Sequence, residues 1–345
     1  MKKRVLTYTV LVVLAILSVF VIFQKGKKST MQEEMMAFKV EDTASVNKFI
    51  IVKKEGGEVV LERNENGTWL VNGKYAARMD LVNLLLQTFR KNEVKYPAGE
   101  KARETIIRNI ATKGIKCEIF QNGERSKIWY IGQETPDHTG TFMILADPET
   151  DEKYEDAFVT WIPGFEGFLT TRFVVDVNDW RDRNVISLSP PQIKKISMDY
   201  VNHPDSSYSV EVVGKNSFKV ITKSGSLLPS ADTLAIKQYL AYFLNLEASI
   251  FLTGKVNREA DSVKKTPYFA TLTVEDIRNR KQVVKFFKKP PEKGKEELYG
   301  MVMKDDPDNA YILFNNDQDF AIVQFYVFGK VMQTTRYFSP KGRKF

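Results

Sequence analysis

The chain of 345 residues contains one cysteine, Cys117, and two histidines, His138 and His203. A lone thiol excludes an intramolecular disulfide framework and any cysteine-cluster metal site. Two histidines leave little material for a histidine-rich metal centre or a nucleophile triad. The sequence also lacks a G-x-x-x-x-G-K-[ST] phosphate loop, a G-x-G-x-x-G fingerprint, H-E-x-x-H, G-x-S-x-G and an EF-hand loop. These absences weigh against NTPases, dinucleotide enzymes, zincins, α/β-hydrolases and calcium sensors. With no catalytic motif, no cofactor or metal is expected. What is present is ample for two folded domains: 43% hydrophobic and 12% aromatic residues exclude bulk disorder.

Residues Leu6 to Phe23, LTYTVLVVLAILSVFVIF, carry no charge. At 1.5 Å per residue this run spans roughly 27 Å, close to the thickness of a bilayer's hydrocarbon core. Lys2, Lys3 and Arg4 precede it and Lys25, Lys27 and Lys28 follow it. The run is longer than a typical signal-peptide core, and no small-x-small cleavage site follows, so an uncleaved transmembrane anchor is expected. Equal basic flanks leave the positive-inside count undecided. A short basic N-terminus before a signal-anchor favours a cytoplasmic start and an exported C-terminal region: a single-pass inner-membrane protein with an extracytoplasmic body.

This assignment explains the net charge of +8. The excess sits in the six basic residues before residue 30 and in Lys330, Arg336, Lys341, Arg343 and Lys344 near the C-terminus. The body between is mildly acidic, so nucleic acid is not an expected partner.

After the anchor the chain repeats one plan. SVNKFIIVKK (Ser45–Lys54), a Gly56–Gly57 turn, EVVLERN and an Asn66–Gly67 turn before TWLVNGKYAA predict a meander of three strands. A helix is expected from Met79 to about Lys91, with Leu81, Leu84, Leu85 and Phe89 on one face. The second copy opens at Gln192 with QIKKISMDYV, SYSVEVVG and NSFKVITKSG. Its helix is expected to be N-capped by Ser230, with Leu234, Tyr239, Leu240, Phe243 and Leu244 as the apolar stripe. Trp69 matches Phe218, and Ile50 matches Ile196, at nearly the same offset. A further helix, Lys101–Lys113 ended by Gly114 at C′, is expected in the first copy, against a short NREADSVKK link in the second. The fold class is therefore α+β: an N-terminal transmembrane helix, then two similar antiparallel-sheet-plus-helix units from a tandem duplication. Helices are expected on one face of each sheet. The predicted organisation is an anchor at 1–30, a tether at 31–43, a first unit at 44–178, a junction at 179–190, a second unit at 191–330 and a basic tail at 331–345.

Five segments, WLVNGKYAAR (Trp69–Arg78), YIGQETPDHTGTFM (Tyr130–Met143), IPGFEGFL (Ile162–Leu169), DWRDR (Asp179–Arg183) and the anchor, resemble a bacterial family, domain of unknown function 4340. The resemblance covers most of the first copy and the junction. It implies a membrane-anchored member of the Bacteroidetes type, encoded beside ABC-type transporter components and gliding-type auxiliary proteins. It implies no catalytic residues.

Four groups of residues are candidate sites. Asp137 and His138, on the GQETPDHTGTFM loop, form either an acid–base pair or an ordinary Pro-Asp-x-x-Gly turn that presents a binding loop. Phe165 and Phe168, on a glycine-rich loop, are either an exposed anchor for a partner or core residues. Asp179, Trp180, Arg181, Asp182 and Arg183 suit a clamp between the units, since arginine pairs with carboxylates and stacks on aromatic faces. KKPPEKGKEE (Lys288–Glu297) and KGRKF (Lys341–Phe345) read as a solvated loop and a solvated tail.

The expected function is binding: an accessory or scaffold protein held in the bilayer through residues 6–23 and contacting an envelope membrane protein, such as an ABC-type transport or gliding-type assembly. Two alternatives stay open. An envelope hydrolase acting on glycan or peptide would need converging carboxylates, such as Glu134 with Asp137. A small-ligand module would need an apolar pocket lined by Trp69, Trp129 or Trp161.

Overall fold

The computed structural model describes residues 35, 37–253, 258–294, 296–298 and 300–340. The apolar run at 6–23 and the KGRKF end lie outside them. Among the described residues no helix is long and apolar enough to cross a membrane. The chain is a mixed α+β protein with antiparallel sheets, divided into two compact units, Met1–Arg181 and Asp182–Phe345.

The first unit contains β1 (Val46–Lys53), β2 (Glu58–Arg63), β3 (Trp69–Val71), β4 (Tyr75–Ala76), α1 (Met79–Lys91), β5 (Glu93–Pro97), α2 (Glu100–Lys113), β6 (Ile115–Gln121), β7 (Glu124–Glu134), β8 (Thr141–Ala146), β9 (Phe158–Trp161) and the short α3 (Val177–Trp180). Its nine strands lie in the order β4-β3-β2-β1-β6-β7-β8-β9-β5. The β6–β7 hairpin turns on Asn122 (φ 53°) and Gly123 (φ 91°), the left-handed pair that a tight hairpin requires.

Helix α1 buries Val82, Leu85, Thr88 and Phe89, while Leu84 points outward. The core beneath it is aromatic: Phe89 meets Trp129 edge-on at 5.3 Å, and Phe49 meets Trp69 at 5.2 Å and Trp180 at 5.9 Å. Burying each such ring contributes about 1.5–3 kcal/mol. Helix α2 lies on the opposite face, where Ile106 and Ile110 pack on Tyr130, Phe142 and Ile144. The sheet is thus covered on both faces, not on one as expected. Tight packing here needs Gly132, whose missing Cβ would lie 2.6 Å from Ile110 Cγ1. Gly114 ends α2 in an extended conformation (φ −68°), not the left-handed one expected at C′. A Cβ there would lie 2.4 Å from the Ile110 carbonyl oxygen, so close approach explains the glycine.

The stretch expected as a tether enters this core early. Phe38 and Val40 are fully buried, Phe38 packs edge-on against Phe158 at 5.6 Å, and the Val40 amide donates to the Phe89 carbonyl.

The second unit contains β10 (Asn184–Ile186), β11 (Ile193–Tyr200), β12 (Tyr208–Gly214), β13 (Ser217–Thr222), α4 (Thr233–Ala241), β14 (Leu246–Glu247), β15 (Ile250–Phe251), α5 (Arg258–Val263), β16 (Ala270–Asp276), β17 (Lys281–Lys288), β18 (Glu297–Leu298), β19 (Met301–Val302), β20 (Asn309–Phe314), β21 (Asp319–Gln324) and the short α6 (Phe325–Phe328). Its main sheet has the order β13-β12-β11-β16-β17-β20-β21-β15. Strand for strand this repeats β3-β2-β1-β6-β7-β8-β9-β5. The likeness extends to register. Phe49 lies opposite Leu61 and Ile119, and Ile196 lies opposite Val210 and Val274. Both ladders shift at the same place, between Val46 and Lys48 and between Ile193 and Lys195. Ile196 therefore corresponds to Phe49, not to Ile50; a slip of one residue moves a side chain to the other face.

Helix α4 is capped by Asp232, which accepts from the Leu234 and Ala235 amides at 2.9 and 3.1 Å, and not by Ser230. Ile236, Tyr239, Leu240 and Phe243 are buried, whereas Leu234 and Leu244 face solvent. The NREADSVKK segment forms α5, the counterpart of α2, and its Val263 packs on Phe287, Tyr311, Leu313 and Phe320 on the face opposite α4. Residues 331–338, expected to begin the tail, belong to the core. Val331 and Phe338 are buried, and the Val331 carbonyl accepts from the Tyr239 hydroxyl at 3.0 Å.

Candidate functional site

The strand order places the loop between β7 and β8, the segment after β9 and the start of β5 at one end of the first sheet. The β7–β8 loop closes on itself: the Thr135 amide donates to the Gly140 carbonyl and the His138 amide to the Thr135 carbonyl. His138 adopts a left-handed conformation (φ 56°). Gly140 lies flat on β9, where a Cβ would stand 2.5 Å from Val159 Cγ1.

Asp137 organises this loop. Its carboxylate accepts from the Thr135 hydroxyl at 2.5 Å, and from the Thr139 hydroxyl at 2.7 Å and amide at 3.2 Å. These bonds, the Thr135 hydroxyl first, hold the carboxyl far below the usual aspartate range. His138 turns away from it, placing Nδ1 3.8 Å from Glu134 Oε1. Neighbouring residues thus take different partners, and no Asp137–His138 pair forms.

The segment after β9 is fastened to the same strands. The Leu169 amide donates to Thr141 Oγ1 at 2.7 Å, and Thr170 Oγ1 to the Gly132 carbonyl at 2.9 Å. Between these anchors Gly164 (φ 78°) and Gly167 (φ 135°) turn the chain. Phe168 comes to rest half-buried beside His138, ring centroids 6.2 Å apart. Phe165 is 37% exposed and lies against the Arg172 guanidinium at 4.5 Å. Arg172 is held from behind by its bond to Thr88 Oγ1. Both candidate loops therefore meet in one surface.

Two further residues complete it. Lys95, at the bulge in β5, donates to Thr139 Oγ1 at 2.9 Å and lies over the Trp161 ring at 5.2 Å. Sequence reading passed over Lys95 because it reaches this surface through the β5–β9 pairing, which no local pattern announces. The result is an end-surface on which aromatic rings alternate with the cations Lys95 and Arg172.

The junction residues divide between the units. Trp180 is buried in the first core, donating through Nε1 to the Val174 carbonyl, and its own carbonyl accepts from the Arg78 amide. The Arg181 guanidinium lies 3.7 Å from the Tyr75 ring centroid. Asp179 is exposed. In the second unit, Asp182 accepts from the Asn184 amide at 3.0 Å, and the Arg183 carbonyl accepts from the Ala248 amide. Trp69 and Trp129 fill the first core; Trp161 lies under Lys95. Among the described residues no group of three or more His, Cys, Asp or Glu is placed to hold a metal.

No family model, curated protein or solved structure matches the chain.

Proposed function

We propose that the chain is a membrane-anchored extracytoplasmic binding protein, an accessory or scaffold subunit that contacts an envelope complex such as an ABC-type transport or gliding-type assembly through the end-surface of its first unit. The observation that carries this reading is the meeting of two separate loops, at Asp137–His138 and Phe165–Phe168, with Lys95 and Arg172 set among their aromatic rings. Exposed aromatic and arginine side chains on a fixed scaffold are what a protein contact uses.

The N-terminal segment joins the same strands: Lys127, near the Asn122–Gly123 turn, donates to the Ala37 carbonyl, and Phe38 packs on the first residue of β9. The loops follow the last residues of β7 and β9, roughly 20 Å from Lys127 and about 10 Å from Phe158 at ~3.3 Å per strand residue. The anchor itself, its inner-membrane location and the outward orientation rest on the apolar run and its basic flanks. The common strand order and register of the two sheets support a tandem duplication.

The hydrolase alternative is weaker on this geometry. A general acid needs a raised pKa, and Asp137 is driven the other way. A reporter enzyme fused at the C-terminus tests the orientation: activity in the exported format supports the proposal, and activity confined to the cytoplasmic format removes it.

A further inference from the structure

The common plan makes each unit a control for the other, and one sheet face distinguishes them. Register fixes the correspondence. With Phe49 matched to Ile196, Ile50 corresponds to Ser197 and Val52 to Asp199; the pairs Ile50–Val60 and Ser197–Ser209 match Val60 with Ser209. Further out, Leu70 corresponds to Lys219 and Phe120 to Glu275. At these five positions the first unit is apolar and the second polar. One exchange runs the other way, Asn72 against Ile221.

All five lie on the face opposite the aromatic core. The ladder sets them in rows: Phe120, Lys48, Glu62 and Leu70; then Glu118, Ile50 and Val60; then Lys116, Val52 and Glu58. The cover that α2 gives this face lies over β7 and β8, and the loop after β8 meets β6 at Lys116, through Asp151. Ile50, Val52, Val60, Leu70 and Phe120 are half-buried and belong to none of the buried clusters among the described residues. The charges between them are of both signs and lie side by side: Lys48 is 4.0 Å from Glu62 and Lys116 is 2.7 Å from Glu118. Such a mosaic selects neither an acidic nor a basic partner; it complements a surface of the same pattern.

We infer that this face pairs with the same face of a second copy of the chain. A two-fold axis along the strands, between β1 and β2, lays each β1 over the partner's β2 at about 10 Å, the spacing of aligned sheets. The central contacts are then complementary. Ile50 meets the partner's Val60, Lys48 meets the partner's Glu62, and Phe120 meets the partner's Leu70, each contact occurring twice. Val52 meets the partner's Glu58 at the rim, where the carboxylate keeps its water. Because β6 lies over the partner's β3, the cover on β7 and β8 begins one strand further out and falls beyond it. The matching face of the second unit carries Ser197, Ser209, Asp199, Lys219 and Glu275 at these positions and offers no such contact.

Charge exchange tests it. Lys48→Glu sets a glutamate against the partner's Glu62, and Glu62→Lys sets a lysine against the partner's Lys48. Each variant alone therefore repels itself across the axis and should associate about tenfold or more weakly. Mixed together, the two variants restore opposite charges on both sides of the axis. Native mass spectrometry of the full chain, released from mild detergent at micromolar concentration, reads the outcome. The expected result is a two-chain mass for the parent and for the chain carrying both exchanges, a one-chain mass for each single variant, and a mixed pair when the single variants are combined. Lys195→Glu, the same exchange in the Lys195–Glu211 pair of the second unit, should keep the two-chain mass. Tryptophan fluorescence checks the fold of the first unit, which holds all four tryptophans. Should a single exchange unfold it, Ile50→Ser with Val60→Ser, the residues that the second unit carries there, makes the same one-chain prediction. A one-chain mass for the parent overturns the inference. So do a two-chain mass that survives in both single variants, folded single variants that fail to pair when mixed, and a loss of pairing in Lys195→Glu equal to that in Lys48→Glu.

Discussion

Lys289 donates to Asp306 at 2.9 Å, and each side chain is 8% exposed. The Asp306 amide donates back to the Lys289 carbonyl. This pair closes the root of the β18–β19 hairpin. Burial alone would raise the Asp306 carboxyl, but the Lys289 ammonium, the Asp308 amide and the Asn309 side chain outweigh it and hold the pKa below the usual range.

Removing one member of a buried pair strands the other. Lys289→Met should therefore destabilise the second unit by about 3–5 kcal/mol, and Lys289→Met with Asp306→Leu should recover part of the loss. Amide exchange in β17 and β20 reads both. Because the folded pKa of Asp306 is lowered, its contribution is complete above the unfolded value of about 3.9 and fades as pH falls through the folded value. In Lys289→Met this acid-dependent component should shrink; an unchanged acid profile would count against the pair.

Phe38 lies in a stretch whose composition reads as a tether, yet it is buried between Trp129 and Phe158. Phe38→Ala should cost about 3–5 kcal/mol. All four tryptophans, Trp69, Trp129, Trp161 and Trp180, fall in the first unit. Tryptophan fluorescence during urea unfolding therefore reports that unit, and its midpoint should drop. No shift would place Phe38 outside the core.

Gly132 lets α2 approach β7. Gly132→Ala forces a methyl group against Ile110 and should cost about 1–3 kcal/mol. Ile110→Ala, which removes the clashing γ-carbon, should cost less in the Gly132→Ala background than in the parent, a coupling that thermal melting can measure. A Gly132→Ala protein as stable as the parent would contradict the close packing.

Asp137 is an organiser of its loop. Asp137→Ala should free the Thr135 and Thr139 hydroxyls and raise amide exchange at 135–140, leaving β7 and β8 protected. The carboxyl should titrate below an ordinary aspartate by carbon NMR. Titration at or above the ordinary value would reopen a proton-transfer role.

The strands and α1 were legible because apolar alternation, Gly-Gly and Asn-Gly turns and the Leu85–Phe89 spacing act locally. The two-faced burial of each sheet was harder to see. Its signal was the unbroken apolar runs FMILA (142–146) and AYILF (310–314), which leave no polar face and so require cover on both sides. Helix α5 was hidden because its charged composition, READSV, resembles a linker. Asp232 capped α4 where Ser230 was expected because both suit the position and only the backbone decides between them. In the site, Asp137, His138, Phe165 and Phe168 could be named from loop composition. Their meeting could not, since it depends on β7, β8 and β9 lying side by side, and Lys95 reaches them from a strand with no motif.

The most direct test of the proposed function is a photo-crosslinking residue at position 165, activated in intact membranes from cells producing the full chain. The account predicts one discrete adduct with an integral envelope protein, lost when Phe168→Asp is added. The same probe at Val213, exposed at the far end of the second sheet, should give none. An adduct pattern at 165 indistinguishable from that at 213 would contradict the claim that this end-surface binds a partner.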